Sequence, residues 1–248
     1  MMRYALIADI HANLDALRAV LADIERQNCS HIACLGDIVG FDASPKECLD
    51  IIRSRGIPCL KGDHDEYCSS NVPLDDFNRE AAAHIRWTRE QLQEADKKWL
   101  RELPYSRLIE DFMMVHSSLD RPQRWANIFD EAAAGAHFVQ QTSRVCFFGH
   151  THVPMAFIKK DAVRGSSYEE LKVETETKYL VNPGSVGQSR EGVNKANYAV
   201  YDLEAQVIRL RRVDYVKSAA PRRGGRAASP ALETAEGSPA LAARADEN

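Results

Sequence analysis

The residues whose types and spacing suit chemistry begin with Gly149-His150-Thr151-His152. They follow a short apolar run, Val145-Cys146-Phe147-Phe148, that reads as a buried strand, and Pro154 lies just beyond. The loop carries two histidines at i and i+2, His150 and His152. Such a pair suits one ligand to each of two neighbouring ions better than two ligands to one. Other polar residues also fall just past apolar runs: Asp9, His11, Asp37, Asp63, His64 and His116. Five of the eight histidines are in this set, a concentration that points to a site. Carboxylate and imidazole together suit zinc, manganese or iron, whereas oxygen ligands alone would suit magnesium or calcium. With His64 set aside, the seven that remain exceed what one tetrahedral ion takes and suit two ions sharing a carboxylate. The reaction that needs this is phosphoester hydrolysis, in which two cations ~3.5–4 Å apart clamp the phosphoryl oxygens and acidify a bridging water. The leaving alkoxide also needs a proton. His64, followed by Asp65, fits a proton donor oriented by a carboxylate.

The elements that must position these groups are legible as periodicities. Tyr4-Ala5-Leu6-Ile7-Ala8 is a continuous apolar run, the mark of a strand covered on both faces. Leu14, Leu17, Val20, Leu21 and Ile24 then recur at helical spacing, with Asn13 as N-cap. A second strand over 31–35 ends in Gly36-Asp37. Ser44-Pro45-Lys46-Glu47 reads as a capping box opening a helix to about residue 55. A third strand over 57–60 ends in Gly62-Asp63-His64-Asp65. Three strand–loop–helix units with polar residues at the carboxyl ends of their strands indicate an α/β sheet with its site along that edge. Further on, the pattern predicts helices over 76–93 and before Pro104, then a hairpin over 107–116. Another helix is expected over 129–141, and strands over 155–158 and 179–182. Residues 160–178 read as a polar, exposed excursion, and 196–201 with 207–213 as a closing hairpin.

The 248 residues are 44% hydrophobic and 27% charged, ordinary for a globular domain, and the formal net charge of −4 argues against a general nucleic-acid binder. No apolar run approaches the ~20 residues that span a bilayer. The N-terminus lacks a signal-peptide pattern, and the six cysteines form no C-x-x-C pair. A reduced, cytoplasmic setting follows as the expectation. One domain is expected over 1–216. From 217 to 248 the chain is rich in Ala, Pro, Gly, Ser and Arg without periodicity, which reads as a disordered tail. Arg222-Arg223-Gly224-Gly225-Arg226 within it reads as a solvated basic patch.

Taken in order, Asp9-x-His11, Gly36-Asp37-x-Val39-Gly40, Gly62-Asp63-His64-Asp65, His116 and Gly149-His150-Thr151-His152 resemble the calcineurin-like metallophosphoesterase superfamily. The pattern is closest to its bacterial diadenosine tetraphosphatase-like and serine/threonine phosphatase-like branch. Asn182-Pro183-Gly184-Ser185 resembles a turn near that family's active site. The resemblance implies an α/β fold, a four-layer αββα sandwich of two mixed β-sheets flanked by helices. It implies that Asp9, His11 and His152 hold one metal, that Asp63, His116 and His150 hold a second, and that Asp37 bridges them. His64 would be the proton donor with Asp65 as its orienting partner. The cofactors implied are two divalent ions, manganese or iron first, with zinc or magnesium as alternatives.

The sequence departs from the family at Asp63, where Asn is usual. Asp9, Asp37 and Asp63 against two divalent ions leave one net positive charge, one unit less than with Asn. Tighter retention of the second metal and weaker attraction for a phosphate dianion are expected, or a preference for a trivalent ion. Phe41-Asp42 stands where Tyr-Gly is more usual, and Ser117-Ser118 follows His116; both neighbours are expected to shape substrate access. The function expected is a phosphoesterase acting by direct attack of a metal-bridging hydroxide. Phosphomonoesterase is slightly favoured over phosphodiesterase or dinucleoside polyphosphate hydrolase. A small phosphorylated substrate or a phosphoprotein is the expected partner, with no membrane and no nucleic acid. A catalytically weak metal-binding regulatory protein is the alternative that Asp63 keeps open. His31, His84, His137, the three tryptophans and Arg190 are read as structural or surface residues.

Overall fold

The computed structural model describes residues 2–218 apart from Asp76, Asn78 and Val193. Two sheets lie face to face. The first has five strands in the order β2-β1-β10-β11-β8: β1 (Arg3–Ile7), β2 (His31–Cys34), β8 (Glu170–Lys172), β10 (Lys195–Asp202) and β11 (Val207–Asp214). The second has six in the order β3-β4-β5-β9-β6-β7: β3 (Ser106–Ile109), β4 (Phe112–Val115), β5 (Val145–Phe147), β6 (Met155–Lys159), β7 (Val163–Ser166) and β9 (Lys178–Asn182). Both are mixed. β1 runs parallel to β2 and antiparallel to β10, and β5 runs parallel to β4 and β9.

The alternation of side chains explains why β1 is apolar throughout. Ala5 and Ile7 face a core built with α1 (Leu14–Arg26) and α2 (Pro45–Ser54), while Tyr4 and Leu6 face the second sheet. The inter-sheet core also takes Phe112, Phe147, Val181 and Tyr201. A third core, with Phe138, Phe148, Phe157 and Leu180, lies between the second sheet and α6 (Glu131–Gln140). Helix, sheet, sheet and helix make four layers, as expected. Two more helices, α4 (Arg79–Gln91) and α5 (Glu94–Arg101), add Ile85 and Leu100 to the first core.

Four local expectations are corrected. Residues 57–60 form no strand, only a parallel bridge between Cys34 and Cys59. Pro58 lends its carbonyl to Cys34 N–H at 2.8 Å but has no N–H of its own to extend the ladder. Asn13 caps α1 through Ala16 N–H, yet Ser44 makes no side-chain cap on α2, where Pro45 alone marks the start. A helix the periodicity did not disclose, α3 (Asp63–Ser69), begins on the third motif itself; seven acid-rich residues are too few to show a period. The excursion over 160–178 carries β7 and β8, which edge the two sheets, with Tyr168 and Val173 buried between them. These strands are short and polar because they lie at sheet edges.

Lys217 and Ser218 are anchored, to Asp42 at 2.6 Å and to Asp15 at 2.7 Å. The remainder of the expected tail, 219–248, including Arg222 to Arg226, lies outside the described residues.

Candidate metal centre

Strand ends and the first turn of one helix bring all seven candidate ligands together. Asp9 and His11 follow β1, Asp37 follows β2, Asp63 opens α3, His116 ends β4, and His150 and His152 follow β5. Five of them have φ in the left-handed region: Asp9 at 55°, His11 at 49°, Asp37 at 54°, His150 at 67° and His152 at 59°. Non-glycine residues adopt this backbone where the surroundings hold them in it, which is common at functional sites. The Gly149–His152 loop is therefore not extended. Its two histidines part to different clusters because the backbone turns; on an extended strand, residues at i and i+2 would share a face.

Asp9, His11, Asp37 and His152 converge in a first group of donor atoms, Asp63, His116 and His150 in a second, and Asp37, Asp63 and His64 in a third that links them. In the first, His11 Nε2 and His152 Nε2 are 2.9 Å apart, with Asp9 Oδ1 3.7 Å from the latter. In the second, Asp63 Oδ1 lies 2.9 Å from His150 Nδ1 and 3.2 Å from His116 Nε2. Asp37 divides its two oxygens. Oδ1 accepts His64 N–H at 2.9 Å from the start of α3. Oδ2 lies 3.6 Å from His11 Nε2 and 3.4 Å from His116 Nε2, between the two groups. Gly62 permits this approach, since a Cβ there would fall 2.1 Å from Asp37 Oδ1.

Charge shows that these residues fit cations. Asp9, Asp37 and Asp63 are all buried, and histidines are their only ion-pair partners among the described residues. Burying carboxylates away from compensating charge is costly. Burial, reinforced by the Asp37 charge, pushes the Asp9 carboxyl up to about 7. Burial and then His152 drive His11 well below the usual histidine value; burial and then Arg190 do the same to His152. Both imidazoles are thus neutral, as ligands must be. In the second group burial opposes charge, but the carboxylates prevail. Asp37 and then Asp63 raise His116, Asp63 raises His150, and the two histidines hold Asp63 well below the usual carboxylate range. The carboxylates thus favour positive charge on His116 and His150, the charge a bound cation would bring in place of protons.

The Asn182–Ser185 turn ties the first group together. Asn182 Nδ2 donates to Gly149 O at 2.7 Å and to Thr151 Oγ1 at 3.1 Å. Ser185 Oγ donates to Asp9 O at 2.8 Å, and Gly187 N–H to the same oxygen at 2.9 Å. His150 N–H in turn points at both Asp9 oxygens, at 3.1 and 3.2 Å. Arg190 continues from this turn. It is exposed and has no hydrogen bond or ion pair among the described residues.

The family now follows from comparison. The calcineurin-like phosphoesterase superfamily domain matches residues 2–206. The chain belongs to this superfamily. It is 36% identical over 218 residues to an uncharacterised protein of Methanocaldococcus jannaschii, covering 85% of this chain and 87% of that one. A metallophosphoesterase from Sphaerobacter thermophilus is 35% identical with a TM-score of 0.74, over 87% of this chain and 89% of that one. A hypothetical protein from Pyrococcus horikoshii shares the fold at 19% identity and a TM-score of 0.71, over 88% and 90% of the chains. Membership supports a hydrolase acting on phosphoesters, with divalent metal ions suggested by the Asp and His clusters.

Asp65 requires a correction. It does not orient the His64 ring. Its Oδ2 accepts Asp37 N–H at 2.8 Å and Gly62 N–H at 3.1 Å, and its Oδ1 accepts Ile38 N–H at 2.9 Å and Val39 N–H at 3.3 Å. Placed in the first turn of α3, the carboxylate reaches back to the helix start and across to the Asp37 loop. Burial and then Asp37 push it up to about 7, while the Gly62 and Val39 N–H groups pull the other way. Trp125, expected to be structural, and Phe41, expected to shape substrate access, also bear on the site. Trp125 sets the edge of its ring against His116, with centroids 5.9 Å apart. Phe41 packs on His11 and His64 at 4.9 and 4.4 Å. No periodicity marks either residue, and for Phe41 only its place beside Gly40 gave a signal.

Proposed function

We propose that this protein is a dinuclear metal-dependent phosphoesterase, with phosphomonoesters as the favoured substrates and phosphodiesters, including dinucleoside polyphosphates, as the alternative. The observation that carries this reading is the pair of clusters with Asp37 Oδ2 lying between them, built around buried carboxylates with no Lys or Arg partner among the described residues. Asp9, His11 and His152 would hold one divalent ion, and Asp63, His116 and His150 the other, with Asp37 common to both. Manganese or iron is the first expectation, and zinc or magnesium the next. Ions held there would supply charge to the phosphoryl oxygens and acidify a water for direct attack on phosphorus.

The chain's own groups do the rest. His64, with its side chain 13% exposed, sits at the mouth of the site and directs Nε2 toward the Asp63 side, 3.9 Å from Oδ2. It holds the proton that the leaving oxygen takes. Asp65 stiffens the loop that carries Asp37. Arg190, exposed and without an ion-pair partner among the described residues, suits the extra negative charge of a monoester over a diester. A small phosphorylated molecule or a phosphoprotein fits these groups. Free thiols at all six cysteines, five of them buried, support a reducing cytoplasmic setting. No described helix is long and apolar enough to cross a membrane.

The test is to strip the protein, reload it with manganese, iron, zinc or magnesium, and measure metal content with hydrolysis of aryl phosphate monoesters and diesters. About two ions per chain with turnover is the expected result, and the rate ratio chooses between the two substrate classes. Two ions with no turnover on any substrate would favour the metal-binding regulatory role. Absence of bound metal would remove the basis of the proposal. His64→Ala is expected to lower kcat by ~10²-fold or more on a substrate with a poor leaving group.

A further inference from the structure

His64 lacks the polar anchor that a proton donor usually has. Its Nδ1 is buried with no hydrogen-bond partner among the described residues, because Asp65 is committed to backbone N–H groups. A histidine ring turns broadly about its second torsion, so an unbonded ring keeps its aim only if its neighbours confine it. Three neighbours do so. The Gly40 backbone lies under Nδ1, where a Cβ on residue 40 would come within 2.6 Å. The His11 ring stands edge-on, with centroids 4.9 Å apart and planes at 86°. Phe41 covers the ring at 4.4 Å and 39°.

Phe41 is itself held. Its φ of 58° is in the left-handed region, rare for a bulky residue and kept where surrounding bonds enforce it. The next residue supplies such a bond, since Asp42 N–H donates to His11 O at 3.0 Å. The turn that carries Phe41 is thus fastened to the backbone of a candidate ligand. Its ring also contacts His11 at 4.9 Å and 80°, so Phe41, His11 and His64 pack as a closed triangle.

We propose that Phe41 is the positioning residue for His64, confining the imidazole by packing where no carboxylate confines it by hydrogen bonding. The inference rests on His64 as proton donor. A donor matters most when the leaving group is a poor one, so the loss caused by freeing the ring depends on the substrate.

The experiment compares an alkyl phosphate with a nitrophenyl phosphate on the metal-loaded full chain. Phe41→Ala is expected to lower kcat on the alkyl ester about tenfold, a fraction of the ~10²–10⁴-fold that a general acid contributes. The nitrophenyl ester should change by less than about twofold, as should both KM values. Phe41→Tyr should retain wild-type rates. In a His64→Ala background, Phe41→Ala should cost nothing further. Phe41→Leu, checked by thermal unfolding, serves if the alanine variant folds poorly. A readout independent of turnover is the 15N-histidine spectrum of the zinc-loaded protein. There the His64 ring signal should shift or broaden in Phe41→Ala while those of His116 and His150 stay put. Equal losses on both esters, or the same loss with His64 already removed, would overturn the inference. If His64→Ala alone leaves alkyl phosphate turnover intact, the donor role fails first; a His64-dependent rate indifferent to Phe41 defeats this inference alone.

Discussion

Asp65→Asn separates a residue that builds the site from one that takes part in the reaction. The carboxylate accepts four backbone N–H groups, two on each oxygen: Asp37 at 2.8 Å and Gly62 at 3.1 Å, Ile38 at 2.9 Å and Val39 at 3.3 Å. An asparagine offers one oxygen and one NH2 group, which cannot accept. Two of the N–H groups are then left facing a donor in a place closed to water, since Asp65 is 0% exposed. Hydrogen bonds to charged groups contribute ~1.5–3 kcal/mol each, so losing two should cost about 3–6 kcal/mol. For a domain of this size that lowers Tm by roughly 6–24 °C. Because two of those bonds set the positions of Asp37 and Gly62, the variant should also hold less metal when metal is limiting and regain much of it in excess. Calorimetry, metal analysis and turnover on good and poor leaving groups read all three effects. Activity should fall in parallel on both substrates. An unchanged Tm and full metal content, with loss confined to the poor leaving group, would refute this argument and return Asp65 to pairing with His64.

Asp37→Asn should lower the content of both ions, because Oδ2 lies between the two clusters; two equivalents retained on purification would contradict its sharing. Asp63→Asn removes the charge that raises His150 and the smaller part of what raises His116, on which Asp37 acts first. The second ion should then bind more weakly but with less dependence on pH from 6 to 8, and a pH series of metal titrations that kept the wild-type slope would count against this. His137 is buried and accepts Leu119 N–H at 3.2 Å, and burial lowers it from 6.5 to about 4. The folded protein stays neutral there while the unfolded chain gains a proton. The corresponding stability, about 3 kcal/mol, is therefore complete above pH 6.5 and lost as pH falls toward 4. His137→Asn keeps an acceptor for Leu119 and should flatten that slope relative to wild type, measured by denaturant unfolding at both pH values.

Residue types and spacing were enough to mark the candidate ligands, which the structure gathers, and most of the scaffold. Asp and His residues just past apolar runs mark strand ends, and a two-sided apolar run such as β1 has to be covered on both faces. The α1 period and its Asn13 cap were equally plain, because they depend on neighbours within one turn. What failed locally failed for local reasons: Pro58 ended a ladder before it formed, α3 was too short to show a period, and β7 and β8 are polar because they are edges. Only the tertiary structure decided which donors face each other. Asp37 sits between two clusters because its Oδ1 is taken by the amide of His64, a contact between the end of one strand and the start of a helix beyond the next element. Asp65 adjoins His64 in sequence, yet serves the backbone around Asp37, because the first turn of α3 aims it back across the loop. Sequence adjacency suggests which residues share a site; the direction of each side chain is set by backbone torsions, here left-handed at five of the seven ligands, and nothing in residue type or spacing encodes them.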